Sequence, residues 1–232
     1  MEKIVGVLSL AVLTAMVWTY EVPAASWDFI YEGDKLPDPL EWEIYKTDGV
    51  AVSDVCEITP AGELHITDPN DKVCFFLPAV DSVEKGTIEV RVKALSQSGA
   101  TYTILFGIED EAVDAWVDLF PDHIQLEAGE SYSLDMTEYH ILRIAKDGSD
   151  ATVYVDDEMV IEGPIGSAAD DRQDNIIFGS GSTGGTGEHY WDYVVYTSQG
   201  AFSPEELPNF LSTMAVESEG KAATCWGMLK SQ

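Results

Sequence analysis

The sequence predicts an all-β chain folded as a two-sheet antiparallel β-sandwich. Three observations predict it. Short runs rich in Val, Ile, Thr, Tyr, Phe and Trp recur about every ten residues, separated by turn-forming clusters. Several runs alternate apolar and polar side chains with the two-residue period of a strand that buries one face, as in GTIEVRVKAL from Gly86 to Leu95. No long stretch of 3.6-residue periodicity interrupts them.

The elements follow in order. Ser26 to Tyr31 (SWDFIY) is the first strand, and Val50 to Ile58 carries one or two short ones. Thr59 to Gly62 (TPAG) is turn chemistry, after which Glu63 to Thr67 pairs back. Lys72 to Leu77 follows the polar turn at Asp68–Asp71. Along Gly86 to Leu95, Ile88, Val90 and Val92 point one way and Glu89, Arg91 and Lys93 the other. Tyr102 to Ile108 comes next, and then Ala115 to Phe120 and His123 to Glu127 around a turn at Pro121–Asp122. Tyr139 to Lys146 and Ala151 to Val155 are joined by a tight turn holding Gly148, and Asp156–Glu158 turns the chain into Met159 to Glu162. Asn175 to Gly179 and Tyr190 to Thr197 complete the sandwich.

Residues 26–203 therefore form one sandwich domain, a size such folds often reach as a single unit. Residues 204–232 form a tail, either a short helix or a mobile segment. Ser203-Pro204-Glu205-Glu206 reads as an N-cap followed by proline at the first helical position, and Pro208 is expected to cut that helix short. Trp226 and Leu229 either dock the tail or leave it free to serve as an attachment signal to a surface partner.

Residues 1–25 have the pattern of a signal peptide. Lys3 supplies a basic start, an apolar run extends from Ile4 to about Trp18, and Val22 and Ala24 suit a small-residue cleavage site. The run is shorter than the roughly 20 apolar residues that a spanning helix prefers, so no transmembrane segment is expected after cleavage. The expected location is secreted, periplasmic or cell-surface. The 42 acidic against 12 basic residues give a net charge of −30. That surface repels phosphate backbones, so nucleic acid is not an expected partner, and anionic membranes and sulfated glycans are disfavoured on the same ground. The charge fits either simple solubility or the binding of calcium.

Of the three cysteines, Cys56 and Cys74 lie in short strands of the N-terminal half, and their pairing as a disulfide is expected in an oxidising compartment. Cys225 is then left over, as a buried thiol or an intermolecular bridge.

Three stretches carry a resemblance. WDFIYEGDKLPDPLEW opens the domain; YHILRIAKDG and ATVYVDDEMVIEG run through its middle; IIFGSGSTGGTGEHYWDYVVYTSQGAFSP closes it. Together they resemble the concanavalin A-like (laminin G-like) superfamily, with Asp157 and Glu158 where the hairpin usually holds glycine. The resemblance covers residues 26–203. It implies a jelly roll that serves carbohydrate recognition, with a minority of glycan-cleaving enzymes, and ligands on the concave sheet. It specifies the fold and not the ligand.

The strongest candidate for such a surface is AWVDLF. Trp116, Asp118 and Phe120 share one face of this strand and Val117 and Leu119 the other. Trp116 can cover the apolar face of a pyranose, Asp118 can accept hydroxyl hydrogen bonds, and Arg91 and Arg143 can donate from neighbouring strands. The plainer alternative packs Trp116 under a loop and leaves the charges solvated. Glu109, Asp110, Glu111 and Asp114 read as an acidic loop before the strand, a possible source of paired carboxylates, although the Glu-x-Asp-x-x-Glu strand of related laminarinase-type enzymes is absent. A lyase arrangement would draw on His123, His140, Tyr139 and Arg143. Calcium is the candidate cofactor, with Asp68, Asn70 and Asp71 in one oxygen-rich turn and Asp28 and Asp192 as a second pair if the terminal strands lie side by side. The loop Gly179–Gly187 lacks the Lys and following helix of a phosphate-binding loop. The sequence thus favours a non-catalytic module binding a polysaccharide or other glycan. Its alternatives are a glycan-cleaving hydrolase or lyase on the same fold, or a cell-surface interaction domain.

Overall fold

The computed structural model describes residues 25–217 apart from 41, 70–71, 73, 99–102, 111–112, 128, 168–173 and 181–184. The signal segment over residues 1–24, the tail from 218 with Cys225, Trp226 and Leu229, the loop acid Glu111 and the turn residues Asn70 and Asp71 lie outside the described residues.

In chain order the strands are β1 (Phe29–Tyr31), β2 (Glu43–Lys46), β3 (Cys56–Ile58), β4 (Leu64–Asp68), β5 (Cys74–Leu77), β6 (Lys85–Ser98), β7 (Ile104–Glu109), β8 (Val113–Phe120), β9 (His123–Leu126), β10 (Ser131–Ser133), β11 (His140–Asp147), β12 (Asp150–Val155), β13 (Glu158–Pro164), β14 (Gly166–Ser167), β15 (Asn175–Ser180) and β16 (Thr186–Thr197). One helix, α1 (Phe210–Glu217), follows. All described pairings are antiparallel and make two eight-stranded sheets. The first runs β13-β12-β11-β6-β16-β4-β3, with β1 also on β16; the second runs β10-β9-β8-β7-β15-β5-β2, with β14 on β8.

Alternation along the strands builds the core. Ile88, Val90 and Val92 of β6 face Phe106 and Ile108 of β7 and Val117 and Leu119 of β8 within a single apolar cluster that also holds Leu142, Ile144, Phe178 and Trp191. The terminal strands pair as expected, Phe29 opposite Tyr196 and Tyr31 opposite Val194. Farther back along β16, β4 takes the same edge, with Gly187 opposite Asp68 and Trp191 opposite Leu64.

The register of β16 against β6 shifts between Trp191 and Tyr193, which leaves Asp192 as the extra residue of a bulge. The bulge reverses parity. Trp191 points into the core, while Tyr193 points to the opposite face, where it packs with Val195, Phe210 and Trp27.

The tail differs from expectation in one respect. Ser203 and Glu206 form a capped turn, Glu206 Oε2 accepting from the Ser203 N–H at 2.9 Å, but the helix begins after Pro208. Its cap is Asn209, whose Oδ1 accepts from the Ser212 N–H at 3.0 Å. Pro208 precedes the helix and does not end one.

Candidate functional site

The outer face of the second sheet gathers carboxylates around an indole. In β8, Asp114, Trp116 and Asp118 point to this face, and Ala115, Val117 and Leu119 point into the core. The hairpin joining β7 to β8 sets Glu109 directly opposite Asp114, and Asn175 of β15 lies opposite Glu109 on the other side. Directly opposite residues have Cβ atoms about 4.5–5.5 Å apart, so Asn175, Glu109 and Asp114 form one polar row across three strands. The turn residue Glu127 borders it. Its N–H bonds to the Trp116 carbonyl at 3.0 Å, and its carboxyl lies against Gly166 of β14, which is itself opposite Asp114.

Trp116 packs close against the sheet. Gly107 is opposite it in register, and a Cβ there would come within 2.6 Å of the indole Cδ1. The missing side chain gives the ring its bed, and Phe75, Leu105, Ile177 and Leu77 surround it. Glu109, Asp114 and Asp118 are each 1% exposed and Trp116 is 6% exposed. Trp116 is therefore a packed part of this face, not an open platform. Farther along β8, Phe120 stacks on His123 with ring centroids 4.1 Å apart, and both rings are half-buried.

Arg91 and Arg143 do not join this face. They lie on β6 and β11, neighbours of each other in the first sheet, on its outer side. The reason is topological: β7 and β8 turn away from β6 into the second sheet. Arg143 is buried there and donates through Nε to Glu89 at 3.0 Å and through Nη1 to the Leu207 carbonyl at 2.7 Å. Tyr193 OH and the Phe210 N–H complete the bonding of Glu89, each at 2.8 Å. Burial pushes Glu89 above the ordinary carboxyl range, against the pull of Arg143 and the two further donors. Arg91 bonds Asp192 at 2.6 Å and lies 4.3 Å over the ring of Tyr139. Lys93 sits between the Tyr139 and Tyr190 rings at 4.6 and 4.5 Å, and His65 stacks on Tyr190 at 4.2 Å.

The lyase candidates also separate. His123 is on the second sheet, whereas His140, Tyr139 and Arg143 belong to the first. His140 is held by Asp156 at 2.6 Å. Tyr139 donates to Glu63 at 2.7 Å, and burial followed by that bond pushes its hydroxyl well above the ordinary range.

Asp28 and Asp192 are not brought together, although their strands pair. The register puts Asp28 beside Thr197, five residues or roughly 16 Å along the strand from Asp192. Asp28 instead accepts from the Ser198 N–H at 2.8 Å, Gln199 Nε2 at 2.9 Å and Thr197 Oγ1 at 3.0 Å. Partial burial pushes this carboxyl up, but these bonds bring it below its ordinary value. Asp68 is buried and accepts from Ser180 Oγ at 3.3 Å. Among the described residues no three His, Cys, Asp or Glu side chains are grouped to hold a metal ion. Cys56 and Cys74 do meet, their Sγ atoms 4.0 Å apart and unbonded in this structure.

The sequence reading had Glu109 and Asp114 in a loop; both belong to strands, and Asp114 shares the face of Asp118 at four residues' spacing. The signal available was the alternation of Asp114, Trp116 and Asp118, which extends one step before the recognised AWVDLF run.

No protein-family model matches the chain, and no curated protein matches its sequence. Solved structures do match. An endo-acting O-glycanase from the human gut microbiota aligns at a TM-score of 0.51 with 13% identity, over 75% of this chain and 100% of that one. The fold is a concanavalin A-like jelly roll. A β-glucanase of Bacillus licheniformis aligns at 0.49 with 12% identity, over 74% and 98% of the two chains. An alginate lyase of polysaccharide lyase family 7 aligns at 0.48 with 14% identity, over 65% and 85%. At these identities the likeness is one of fold. Among the described residues, no helix is long and apolar enough to cross a membrane.

Proposed function

We propose that the chain is a glycoside hydrolase acting on a polysaccharide or other glycan, with the outer face of the second sheet as its working surface. The observation that carries this reading is the placement of Glu109 directly opposite Asp114, both buried, with Trp116 and Asp118 beside them. Retaining hydrolases hold their two carboxyls roughly 5–5.5 Å apart, and directly opposite strand positions such as these place their Cβ atoms in a comparable range. One of the pair would protonate the glycosidic oxygen while the other attacks the anomeric carbon, after which the first activates water. Asn175 is placed to hydrogen-bond the sugar or to orient Glu109. The matched O-glycanase is consistent with a glycan substrate.

A second reading, binding without turnover, is favoured by the half-buried Phe120–His123 stack on the same face. One experiment separates the two. Incubation with a panel of neutral and acidic polysaccharides and mucin-type glycans, read by reducing-end release, is expected to show cleavage by the native chain. Glu109→Gln and Asp114→Asn should each lower that rate by at least about 100-fold with an unchanged melting temperature. Retardation in polysaccharide gels without any cleavage would favour the binding module. Cleavage untouched by either substitution would remove the carboxylate assignment.

A further inference from the structure

Cys56 and Cys74 belong to different sheets. Cys56 begins β3, the edge strand of the first sheet, and Cys74 begins β5 in the second. Both are buried in the main core, and their Sγ atoms approach to 4.0 Å across the interior. A disulfide bond is about 2.05 Å long, so rotation of two short side chains by about 2 Å at the sulfurs separates the thiol pair from the bonded one. On β5 the chain alternates: Cys74 points inward and Phe75 points outward beneath Trp116.

We propose that Cys56 and Cys74 are a redox pair that closes to a disulfide stapling the edge of the first sheet to β5, and that the bond forms on the opened chain and not within the finished sandwich. The second clause follows from access. Exchange needs a thiolate and a reachable sulfur, and in the folded chain both thiols are sealed from solvent. The contact with Cys74, and then burial, also push the Cys56 thiol above its ordinary range. On the open chain, one cysteine thiolate attacks a sulfur of a small-molecule disulfide and releases one thiolate. The second cysteine thiolate attacks the resulting mixed disulfide and releases the other. Two protein thiols lose two protons and two electrons, and one disulfide donor is reduced to two thiols. This inference is independent of how the face around Trp116 functions.

The test uses the full chain carrying Cys225→Ser, unfolded and then refolded either with oxidised and reduced glutathione or under a thiol reductant. The glutathione-refolded protein should show no titratable thiol, no glutathione adduct and a linked Cys56–Cys74 peptide by mass spectrometry. Its melting temperature should exceed that of the reduced form by roughly 6–12 °C, as expected for a loop of this length. Native reduced protein in the same buffer should keep both thiols until denaturant opens it. Free thiols or glutathione adducts after oxidative refolding, or an oxidised form that melts no higher than the reduced, would overturn the staple. Rapid linkage in the native reduced protein would overturn the order of events.

Discussion

The outer faces of the two sheets are made from the same residue types and use them in opposite ways. On the first sheet the buried carboxylate of Glu89 collects Arg143, Tyr193 OH and the Phe210 N–H, and the C-terminal segment lies over them. On the second sheet Glu109 and Asp114 face each other, with Asp118 and Glu127 nearby. On the first face the carboxylate is matched by a cation and two further donors from the same sheet and the segment over it. On the second, four carboxylates stand around one aromatic ring. A buried carboxylate by itself does not distinguish a site from a scaffold; the groups placed around it do.

The largest effect should come from breaking the matched face. Arg143→Met would leave Glu89 buried without its cation, and denaturant unfolding should show a loss of about 3–5 kcal/mol. If the loss is below 1 kcal/mol, the face is not the locked scaffold described.

His189 lies beneath this sheet, wholly buried, with Nδ1 accepting from the Trp191 indole N–H at 2.6 Å. Burial, aided by His65, lowers its pKa to about 3. The folded chain therefore holds it neutral while the unfolded chain takes up a proton below about pH 6.5. Stability should fall on acidification from pH 6.5 towards 3, by several kcal/mol over that window. His189→Gln, which keeps an acceptor for Trp191, should flatten that part of the profile in urea melts at stepped pH.

On the second face stability and function should separate. Asp114→Asn keeps the shape of the side chain opposite Glu109, so the melting temperature should hold while glycan turnover falls. A loss of both together would make the face structural.

The smallest effect is expected at the β12–β13 hairpin. Asp156 and Asp157 both have positive φ, at 49° and 71°, as a two-residue turn of this kind requires. Asp156 is occupied, accepting from the Ile141 N–H and facing His140. Asp157 accepts from Asn209 Nδ2 at 3.3 Å in an exposed bond, and Asp157→Gly exchanges that bond for relief of the positive-φ strain, so stability should change by no more than a few tenths of a kcal/mol, read as a small shift in the urea midpoint.

Much of this fold was legible in the sequence because it is encoded locally. The alternation of Ile88, Val90 and Val92 against Glu89, Arg91 and Lys93 fixes the two sides of β6 without reference to any partner. The same holds for Val117 and Leu119 against Trp116 and Asp118. What was not legible depends on pairing over long distances. Nothing local to Arg91 or Arg143 says that β6 and β11 join one sheet while β8 joins the other, so all four candidate ligand residues were expected on one surface. The bulge at Asp192 was hidden for a similar reason. An extra residue reverses parity only when the partner strand is known, and WDYVVY has no glycine to announce it. Glu109 and Asp114 read as loop acids because the residues between them carry no Gly or Pro to mark a tight hairpin.

The position of β16 has a consequence for the order in which the molecule can assemble. It is the last of the described strands, yet β1, β4 and β6 all pair with it. During synthesis these three strands emerge well before their shared neighbour, and the first sheet cannot close until residues 186–197 arrive. Such long-range pairing makes for slow, late folding. A chain shortened before Thr186 would retain fifteen of the sixteen described strand sequences and still lack the seam that joins them.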